Sequence, residues 1–328
     1  MSRARSLVLA GRSPLALRMA HVLAEQCGTA IGAPLLLAVS GGADSRALLL
    51  LAAALWKRED ALDQLAVVSI DHGLRPVSAS EGRSVEDFAI SLGVSRVALR
   101  RVSVLRRGNL EAAARTARWT AIGEVMREFD IATVATAHHA DDLFESFFFQ
   151  LARKRGIDAL RALPPIAPLP VKSAGERTLI RPLRSMRKRE LVALLTRAGL
   201  QWDEDETNHS NEQFRAQMRR FLALAGDALD PCIDGLAALA QECAQLEHAG
   251  VRPPKSSSRA SLRKLDPSSR RTAITALLKD AGCIAPQQRV LASLMRAIAD
   301  EEVRPREFRF RGARVLLKRT SLRAEAIA

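Results

Sequence analysis

The sequence predicts an α/β fold, a doubly wound, mostly parallel five-stranded sheet followed by a mainly helical, basic C-terminal domain. Short β-branched and apolar runs alternate with longer segments of helical periodicity, which is typical of βαβ units. The runs are apolar almost throughout, as in parallel strands that helices cover on both faces. After about residue 215 the alternation of strands and helices ends and Ala/Leu-rich helical segments follow, which indicates a second domain.

The elements of the first domain follow from these patterns. The predicted strands are Leu35–Val39, Gln64–Ile70, Arg96–Val102, Ile131–Ala137 and Thr178–Ile180. The predicted helices are Ala43–Trp56, Ser80–Leu92, Leu110–Phe129, Asp141–Leu151 and Lys188–Ala198. The Pro-rich segment Leu163–Ala174 is expected to form a surface loop.

The C-terminal part shows helical periodicity and then one alternating segment. We expect helices over Arg220–Glu247, Ser268–Ala281 and Gln287–Asp300, a linker over Arg252–Arg259 and a hairpin over Glu307–Arg319. These patterns divide the chain into an N-terminal helical extension (1–32), a sheet domain (33–219) and a mainly helical domain (220–328).

The charge points to a polyanionic partner. The chain has 328 residues and a formal net charge of +14. The region from Val251 to Ala328 holds 18 Lys and Arg against 7 Asp and Glu, so most of the excess lies in the last quarter. Nucleic acid is the simplest partner, because neutralising phosphates releases counterions. A solvated basic surface is the alternative. The chain contains no Tyr and only 4% aromatic residues, which favours phosphate contacts over base stacking.

The cysteines and apolar runs exclude several classes. The 4 cysteines form no CxxC pair, which argues against a disulfide framework or a zinc ribbon and fits a cytoplasmic protein. No apolar run reaches the length of a membrane span, so no membrane association is expected. The Arg-rich, acid-free first twenty residues could be a transit peptide. A helix packed on the next domain is the favoured interpretation.

The segment Ser40-Gly41-Gly42 ends the first strand and opens a helix. Its glycines allow close backbone approach, and its amides, the helix N-terminus and the Ser40 and Ser45 hydroxyls form an anion cradle. A Walker A loop would need GxxxxGK[ST] and a dinucleotide fingerprint GxGxxG, and neither is present. The pattern therefore predicts a phosphate site of another kind.

Five stretches in order resemble the ATP pyrophosphatases with a PP-loop, and among them the tRNA(Ile)-lysidine synthetases. They are SGGADS (40–45), IDHGLR (70–75) with Ser78 and Glu81, NLE (109–111) with Ala114-Arg115 and Arg118-Trp119, ATAHHADD (135–142) with Glu145, and RPL (181–183) with Trp202, Asp205, Thr207-Asn208, Phe214-Arg215 and Arg219. The resemblance covers about residues 33–220. The chain departs from these motifs at Leu143, Ser146, Lys154 and Ala216.

The resemblance implies ligation of free L-lysine to the wobble cytidine of an isoleucine tRNA with a CAU anticodon. ATP first adenylates O2 of the cytosine, and the lysine ε-amine then displaces AMP. The implied cofactors are ATP and Mg²⁺, and no protein partner is implied. The phosphate loop would comprise Ser40, Gly41, Gly42, Ala43, Asp44 and Ser45, with Asp44 as a catalytic residue and as the Mg²⁺ ligand.

The other implied site residues follow the same motifs. Asp71 and His72 would line the nucleotide. His138 or His139 would contact ATP or the adenylate, with His138 as the candidate catalytic residue; a structural histidine is the alternative. Lysine would bind the carboxylates one helical turn apart at Asp142 and Glu145; the alternative is a helix-dipole pair. Arg115 and Arg118 would face phosphates or tRNA, with surface arginines as the alternative, and Arg215 would be a catalytic cation.

Two other functions stay open. A tRNA thiolation enzyme with the same loop would need a cysteine pair or an iron–sulfur cluster, and the chain has no CxxC. A nucleotide-binding module without turnover is the non-enzyme alternative, and pyrophosphate release in the presence of lysine and tRNA would separate it from the ligase.

Overall fold

The structure is a computed structural model, and it describes residues 3–71, 78–102, 110–152, 163–171, 175–203, 212–248, 258–265, 267–283, 286–300 and 305–327. Within these ranges the chain forms two compact units. The first unit contains the described residues up to Gln241 and the second contains those from Glu242 on, so the boundary falls within the helix Asp230–His248.

The first unit is built around a sheet of six strands. The strands are β1 (Leu35–Ala38), β2 (Leu65–Asp71), β3 (Arg96–Arg101), β4 (Thr133–Ala135), β5 (Ile166–Pro168) and β6 (Thr178–Ile180). The helices are α1 (Arg3–Gly11), α2 (Pro14–His21), α3 (Ala43–Arg58), α4 (Ser78–Ser91), α5 (Leu110–Glu128), α6 (Ala140–Ala152), α7 (Lys188–Arg197), α8 (Glu212–Ala225) and α9 (Asp230–His248).

The strand order is β3-β2-β1-β4-β6-β5, and the neighbouring strands are parallel except for β5 and β6. This confirms the predicted doubly wound, mostly parallel α/β fold. Strand β5 is an addition, since it lies in the segment predicted to be a Pro-rich loop. Its residues Ile166–Pro168 pair antiparallel with β6 at the sheet edge, the position where a strand tolerates proline.

Helices cover both faces of the sheet because the strands are apolar on both sides. On one face α1, α2, α3, α4 and α7 share a core, in which Leu48–Leu51 and Trp56 of α3 are fully buried. On the other face α5 packs through Trp119, Ile122 and Val125. Helix α3 is apolar on all sides, and the sheet and neighbouring helices surround it, as expected for a central helix.

Helices α8 and α9 pack against α6. Their contact joins Ala140 and Phe144 of α6 to Leu222 of α8 and to Ile233 and Leu236 of α9. This small core keeps the C-terminal end of the first unit next to the helix that carries Asp142 and Glu145.

The second unit combines helices with a small antiparallel sheet. It contains α10 (Arg259–Lys264), α11 (Pro267–Asp280), α12 (Gln288–Ala299), β7 (Arg306–Phe310), β8 (Ala313–Leu317) and β9 (Leu322–Ala326). The predicted hairpin is β7–β8, which turns at Gly312 with a φ of 86°. Strand β9 pairs with β8 and extends the hairpin to three strands, although its sequence LRAEA consists of residues with high helix propensity. Inward side chains such as Phe308, Val315 and Leu322 pack on Leu262 and Leu291.

Among the helices within the described ranges, none is long and apolar enough to cross a membrane.

Cys27 lies in the segment that follows α2. Its thiol is buried next to the Pro165 carbonyl, just before β5. Burial raises the pKa of this thiol to about 11. A hydrogen bond with the Arg181 backbone and the charges of Arg184 and Arg181 oppose this effect. Because only the thiolate reacts, we expect iodoacetamide at pH 8 to label Cys27 at least ~100-fold more slowly than the exposed Cys232. Time-resolved peptide mass spectrometry measures both rates, and urea-unfolded protein should label both equally. Equal rates in the folded protein would contradict the burial of Cys27.

Candidate active site

The loop Ser40–Gly42 connects the end of β1 to α3. Gly41 has a φ of 89°, a conformation that favours glycine, and Gly42 caps α3 with extended backbone. No side chain among the described residues caps this helix end, so its first amides can bind an anion. The Ser45 hydroxyl donates to the Gly42 carbonyl at 2.9 Å and accepts from the Ser40 amide at 3.2 Å. The Ser45 hydroxyl therefore links the two ends of the predicted phosphate loop through hydrogen bonds. Ala43 is buried beside it.

The loop lies where the order of the strands reverses. β1 lies between β2 and β4 and is parallel to both, so the carboxyl ends of these strands meet at one edge of the sheet. Ligands of open α/β sheets bind at this position. Asp71 at the end of β2 and His138 and His139 after β4 reach the same edge.

A cluster of charged side chains joins the loop to the start of α6. His139 Nε2 lies 3.5 Å from Asp44 Oδ2 and 3.5 Å from Asp142 Oδ2, and its Nδ1 lies 3.5 Å from Asp141 Oδ2. Lys188 Nζ is 3.7 Å from Asp44 Oδ2. The structure thus brings together residues of two separate motifs, SGGADS and HHADD.

These contacts set the charges of the cluster. Burial raises the pKa of Asp44, but the hydrogen bond and charge of His139 and the charge of Lys188 outweigh it, so this pKa lies below its ordinary value. Burial lowers the pKa of His139, but the charges of Asp142, Asp44 and Asp141 outweigh it, so this pKa is raised. The carboxylates thus favour the protonated form of His139, and a protonated His139 favours the ionised form of Asp44.

Asp44 has one oxygen available for a metal ion. Its Oδ2 faces His139 and Lys188, whereas its Oδ1 is buried and has no hydrogen-bond partner in the described part of the chain. Mg²⁺ binds few carboxylates and takes its other ligands from phosphates and water, which fits a single oxygen beside a phosphate loop. Among the described residues no group of three His, Cys, Asp or Glu side chains could hold a metal.

The pKa of His138 is shifted in the opposite direction to that of His139. His138 Nδ1 lies 2.8 Å from Thr136 Oγ1. Burial lowers its pKa to about 4, Asp142 opposes this effect, and the positive charges of Arg181, His139 and Arg115 add to it. His138 is therefore neutral at pH 7 and can contact a ligand by hydrogen bonds but not as a cation.

Asp142 and Glu145 lie in the first turns of α6. Asp142 Oδ2 accepts from the His139 amide at 2.9 Å, so this carboxylate helps to cap the helix. Its side chain keeps 30% of its surface exposed. Glu145 is buried one turn further on. Helix capping and ligand binding are compatible at Asp142, because one oxygen can still accept from a ligand. Lysine binding by this pair stays a prediction.

The remaining predicted residues fall in three groups. Asp71 lies beside the site with its Oδ2 3.8 Å from Arg101 Nε. Arg115 and Arg118 are exposed on one face of α5. His72 lies outside the described residues, and Arg215 lies in α8, but its side chain is outside what the structure describes.

Four buried arginines lie near this edge, and the sequence analysis assigned a site role to none of them, although Arg181 begins the RPL motif. Arg187 donates to Asp141 Oδ1 at 3.0 Å and pairs with Asp230. Arg181 and Arg184 donate to Pro164 O and to Gln26 Oε1, and neither contacts a carboxylate among the described residues. Burial lowers the pKa of Arg181 to about 10. The recurrence of arginine at every third position of RPLRSMR is the signal that could have identified these three. Arg46, in α3, lies behind the loop.

Comparison with known proteins identifies the family. The model of the PP-loop domain family matches residues 15–225. The chain belongs to the PP-loop domain family. The match includes both motifs that meet at Asp44 and His139, so the loop described above is the PP-loop of this chain.

Curated relatives of this PP-loop protein share one name. The tRNA(Ile)-lysidine synthase of Novosphingobium aromaticivorans is 37% identical over 213 residues, which is 65% of this chain and 62% of the relative. That of Orientia tsutsugamushi is 35% identical over 57% of this chain and 41% of the relative. That of Bradyrhizobium diazoefficiens is 36% identical over 66% of this chain and 59% of the relative. The chain thus spans less than two thirds of the length of each.

A solved structure shares the fold. A U34-tRNA thiolase from Methanococcus maripaludis superimposes with a TM-score of 0.56 at 14% identity, covering 70% of this PP-loop protein and 78% of the thiolase.

Proposed function

We propose that this protein ligates L-lysine to the wobble cytidine of the CAU anticodon of an isoleucine tRNA in the cytoplasm, at the expense of ATP. The observation that carries the proposal is the meeting of the PP-loop and the HHADD segment at Asp44, His139 and Asp142. Support comes from the curated relatives named tRNA(Ile)-lysidine synthase, which are similar to this chain over that region.

In the first step, the cytosine O2 attacks the α-phosphorus of ATP. A bond forms between O2 and phosphorus, the bond to the β-phosphate oxygen breaks, and pyrophosphate leaves with the electron pair. The amides of Gly41 and Gly42 and the hydroxyls of Ser40 and Ser45 would hold the phosphates. Positioning and charge stabilisation of this kind supply most of the catalysis in phosphoryl and nucleotidyl transfer.

Mg²⁺ on Asp44 Oδ1 would neutralise the charge that develops on the leaving pyrophosphate. Asp71, and His72 beside it in sequence, would line the nucleotide. Neutral His138 would donate or accept a hydrogen bond at the adenylate.

In the second step, the lysine ε-amine attacks C2 of the adenylated cytosine. The new bond joins nitrogen to C2, the C2–O bond breaks, AMP leaves with the electron pair, and the amine loses a proton to water. Asp142 and Glu145 would hold the cationic amino acid, and Arg215 would clamp the substrate. Arg115 and Arg118, exposed on α5, would contact backbone phosphates of the RNA.

The test is mass spectrometry of nucleosides from a CAU-anticodon tRNA transcript after incubation with the protein, ATP, Mg²⁺ and lysine. The proposal expects a cytidine heavier by the mass of lysine less one water, with one pyrophosphate released for each modification. A sulfur-containing nucleoside would instead indicate a thiolation enzyme, and ATP binding without pyrophosphate release would indicate a nucleotide-binding module.

The second unit is proposed to bind the body of the tRNA. Four cations lie exposed on its small sheet, and none forms an ion pair among the described residues: Arg306, Arg311, Lys318 and Arg319. Replacing all four by Gln is expected to weaken binding of the full tRNA five- to twentyfold and to lower its salt dependence, because each lost phosphate contact reduces the logarithmic salt slope by about 0.9. Fluorescence anisotropy over a salt series measures both.

A matched variant removes the same charge from the first unit. Its four positions are also exposed and form no ion pair within the described ranges: Arg5, Arg12, Lys57 and Arg58. This variant should bind tRNA within twofold of the parent. If both variants lose affinity alike, the effect is one of net charge and not of a binding surface.

A further inference from the structure

Arg46 lies behind the PP-loop, in the first turn of α3. Its side chain is buried, with 9% of its surface exposed. Its Nε donates to the Gly41 carbonyl at 2.8 Å, and one terminal nitrogen donates to Ser84 Oγ at 2.6 Å and to Asp203 Oδ2 at 3.1 Å. The guanidinium also lies over the Phe88 ring, 5.2 Å from its centroid.

Asp203 holds the same carbonyl from a second direction. Its backbone amide donates to Gly41 O at 3.2 Å, while its carboxylate pairs with Arg46. The packing is tight, since a Cβ at Gly41 would lie 2.6 Å from Asp203 Oδ2. Gly41 O therefore accepts two hydrogen bonds from residues that lie far apart in the sequence.

The orientation of one carbonyl fixes the orientation of the next amide. In a planar trans peptide the C=O and the following N–H point in opposite directions. Arg46 and Asp203 both donate to Gly41 O. The Gly42 N–H, on the opposite side of the same peptide, therefore points away from these two residues. That amide belongs to the N-terminal group of α3, which has no side-chain cap among the described residues and which would receive a phosphate.

We propose that Arg46 and Asp203 are positioning residues that aim the Gly42 amide of the PP-loop at the pyrophosphate part of ATP. The inference rests on the part of the proposed function in which this loop binds ATP phosphates. It is independent of the lysine and RNA substrates. A loop with positive φ at Gly41 could otherwise flip this peptide, and preorganised donors bind developing charge better than donors that must reorganise.

Two substitutions of Arg46 distinguish a role in positioning the Gly41 carbonyl from a role in attracting phosphate by charge. In Arg46→Gln the side-chain nitrogen occupies the place of Arg Nε, so a neutral donor to Gly41 O is kept. In Arg46→Lys a methylene occupies that place while the positive charge is kept. Positioning predicts that glutamine replaces arginine better than lysine does, whereas attraction of phosphate by charge predicts the reverse.

The experiment measures dissociation constants of magnesium pyrophosphate and of adenosine by calorimetry, with the full chain and no RNA. We expect Arg46→Lys to bind pyrophosphate at least tenfold more weakly than the parent and Arg46→Gln to stay within threefold. Adenosine, which has no phosphate, should bind within twofold of the parent in both. Asp203→Asn keeps its backbone contact with Gly41 and should weaken pyrophosphate binding less than Arg46→Lys.

A buried arginine in the second unit provides the control. Arg259 donates to the carbonyls of Arg319 and Ala297, and Arg259→Met should leave pyrophosphate binding unchanged. The proposal is overturned if lysine replaces Arg46 better than glutamine, if both variants bind like the parent, or if adenosine affinity falls as much as pyrophosphate affinity. Absence of a lysidine product would refute the proposed RNA substrate and leave these binding results standing.

Discussion

Replacing Asp44 by Asn is expected to reduce ATP-dependent pyrophosphate release by about a thousandfold while leaving the fold intact. The substitution removes the charge of the one carboxylate whose Oδ1 is buried without a partner among the described residues. Metal stabilisation of a leaving group is worth several kcal/mol, and ~1.4 kcal/mol corresponds to a factor of ten in rate. A coupled pyrophosphatase assay measures the rate across a Mg²⁺ titration.

Asp141 provides the matched control for Asp44. It is a neighbouring buried carboxylate whose oxygens accept from Arg187 Nε and from the Lys188 amide. Burial raises its pKa, but the hydrogen bond to Arg187 outweighs it, so the pKa lies below its ordinary value. Asp141→Asn should lower thermal stability while pyrophosphate release per folded molecule stays within tenfold. Near-normal turnover of Asp44→Asn with Mg²⁺ would refute the metal role of Asp44.

Apolar runs with clear ends predict most of the parallel strands; β3, with the sequence RVALRR, is the exception. The predicted strands Leu35–Val39, Gln64–Ile70 and Thr178–Ile180 match the structure within one residue at each end. Strand β5 has no such signal, since it is short, half-exposed and ends on proline, and only its pairing with β6 makes it a strand. Strand β9 is rich in Ala and Glu, so helix propensity conceals it.

The candidate site could be predicted only where its functional residues lie in a local sequence motif. Ser40–Ser45 and His138–Asp142 are local patterns, and the parallel pairing of β1 and β4 brings them together. The contact between Arg46 and Asp203 joins residues far apart in the chain, and nothing in the local sequence of either one indicates the other. The direction in which each histidine pKa shifts could not be predicted either. His138 and His139 are adjacent, but only His139 faces three carboxylates.

Asp142→Asn and Glu145→Gln are each expected to raise the lysine concentration needed for half-maximal rate by 10- to 150-fold. A hydrogen bond to a charged group contributes about 1.5–3 kcal/mol, which corresponds to this range. Asn at position 142 can still accept from the His139 amide, so the helix cap is kept and the change reports charge alone. The half-saturating ATP concentration should change less than threefold, since the phosphates bind the PP-loop.

The control for these variants is Asp63→Asn, which removes one exposed carboxylate in the turn before β2 and should leave both constants unchanged. Asp142→Ala removes the cap as well and should lower the free energy of unfolding by ~1 kcal/mol more than Asp142→Asn. Steady-state rates at varied lysine and varied ATP, with thermal melts of each variant, give the required values. If ATP and lysine requirements rise together in Asp142→Asn and Glu145→Gln, the two carboxylates support the PP-loop or its metal, and lysine binds elsewhere.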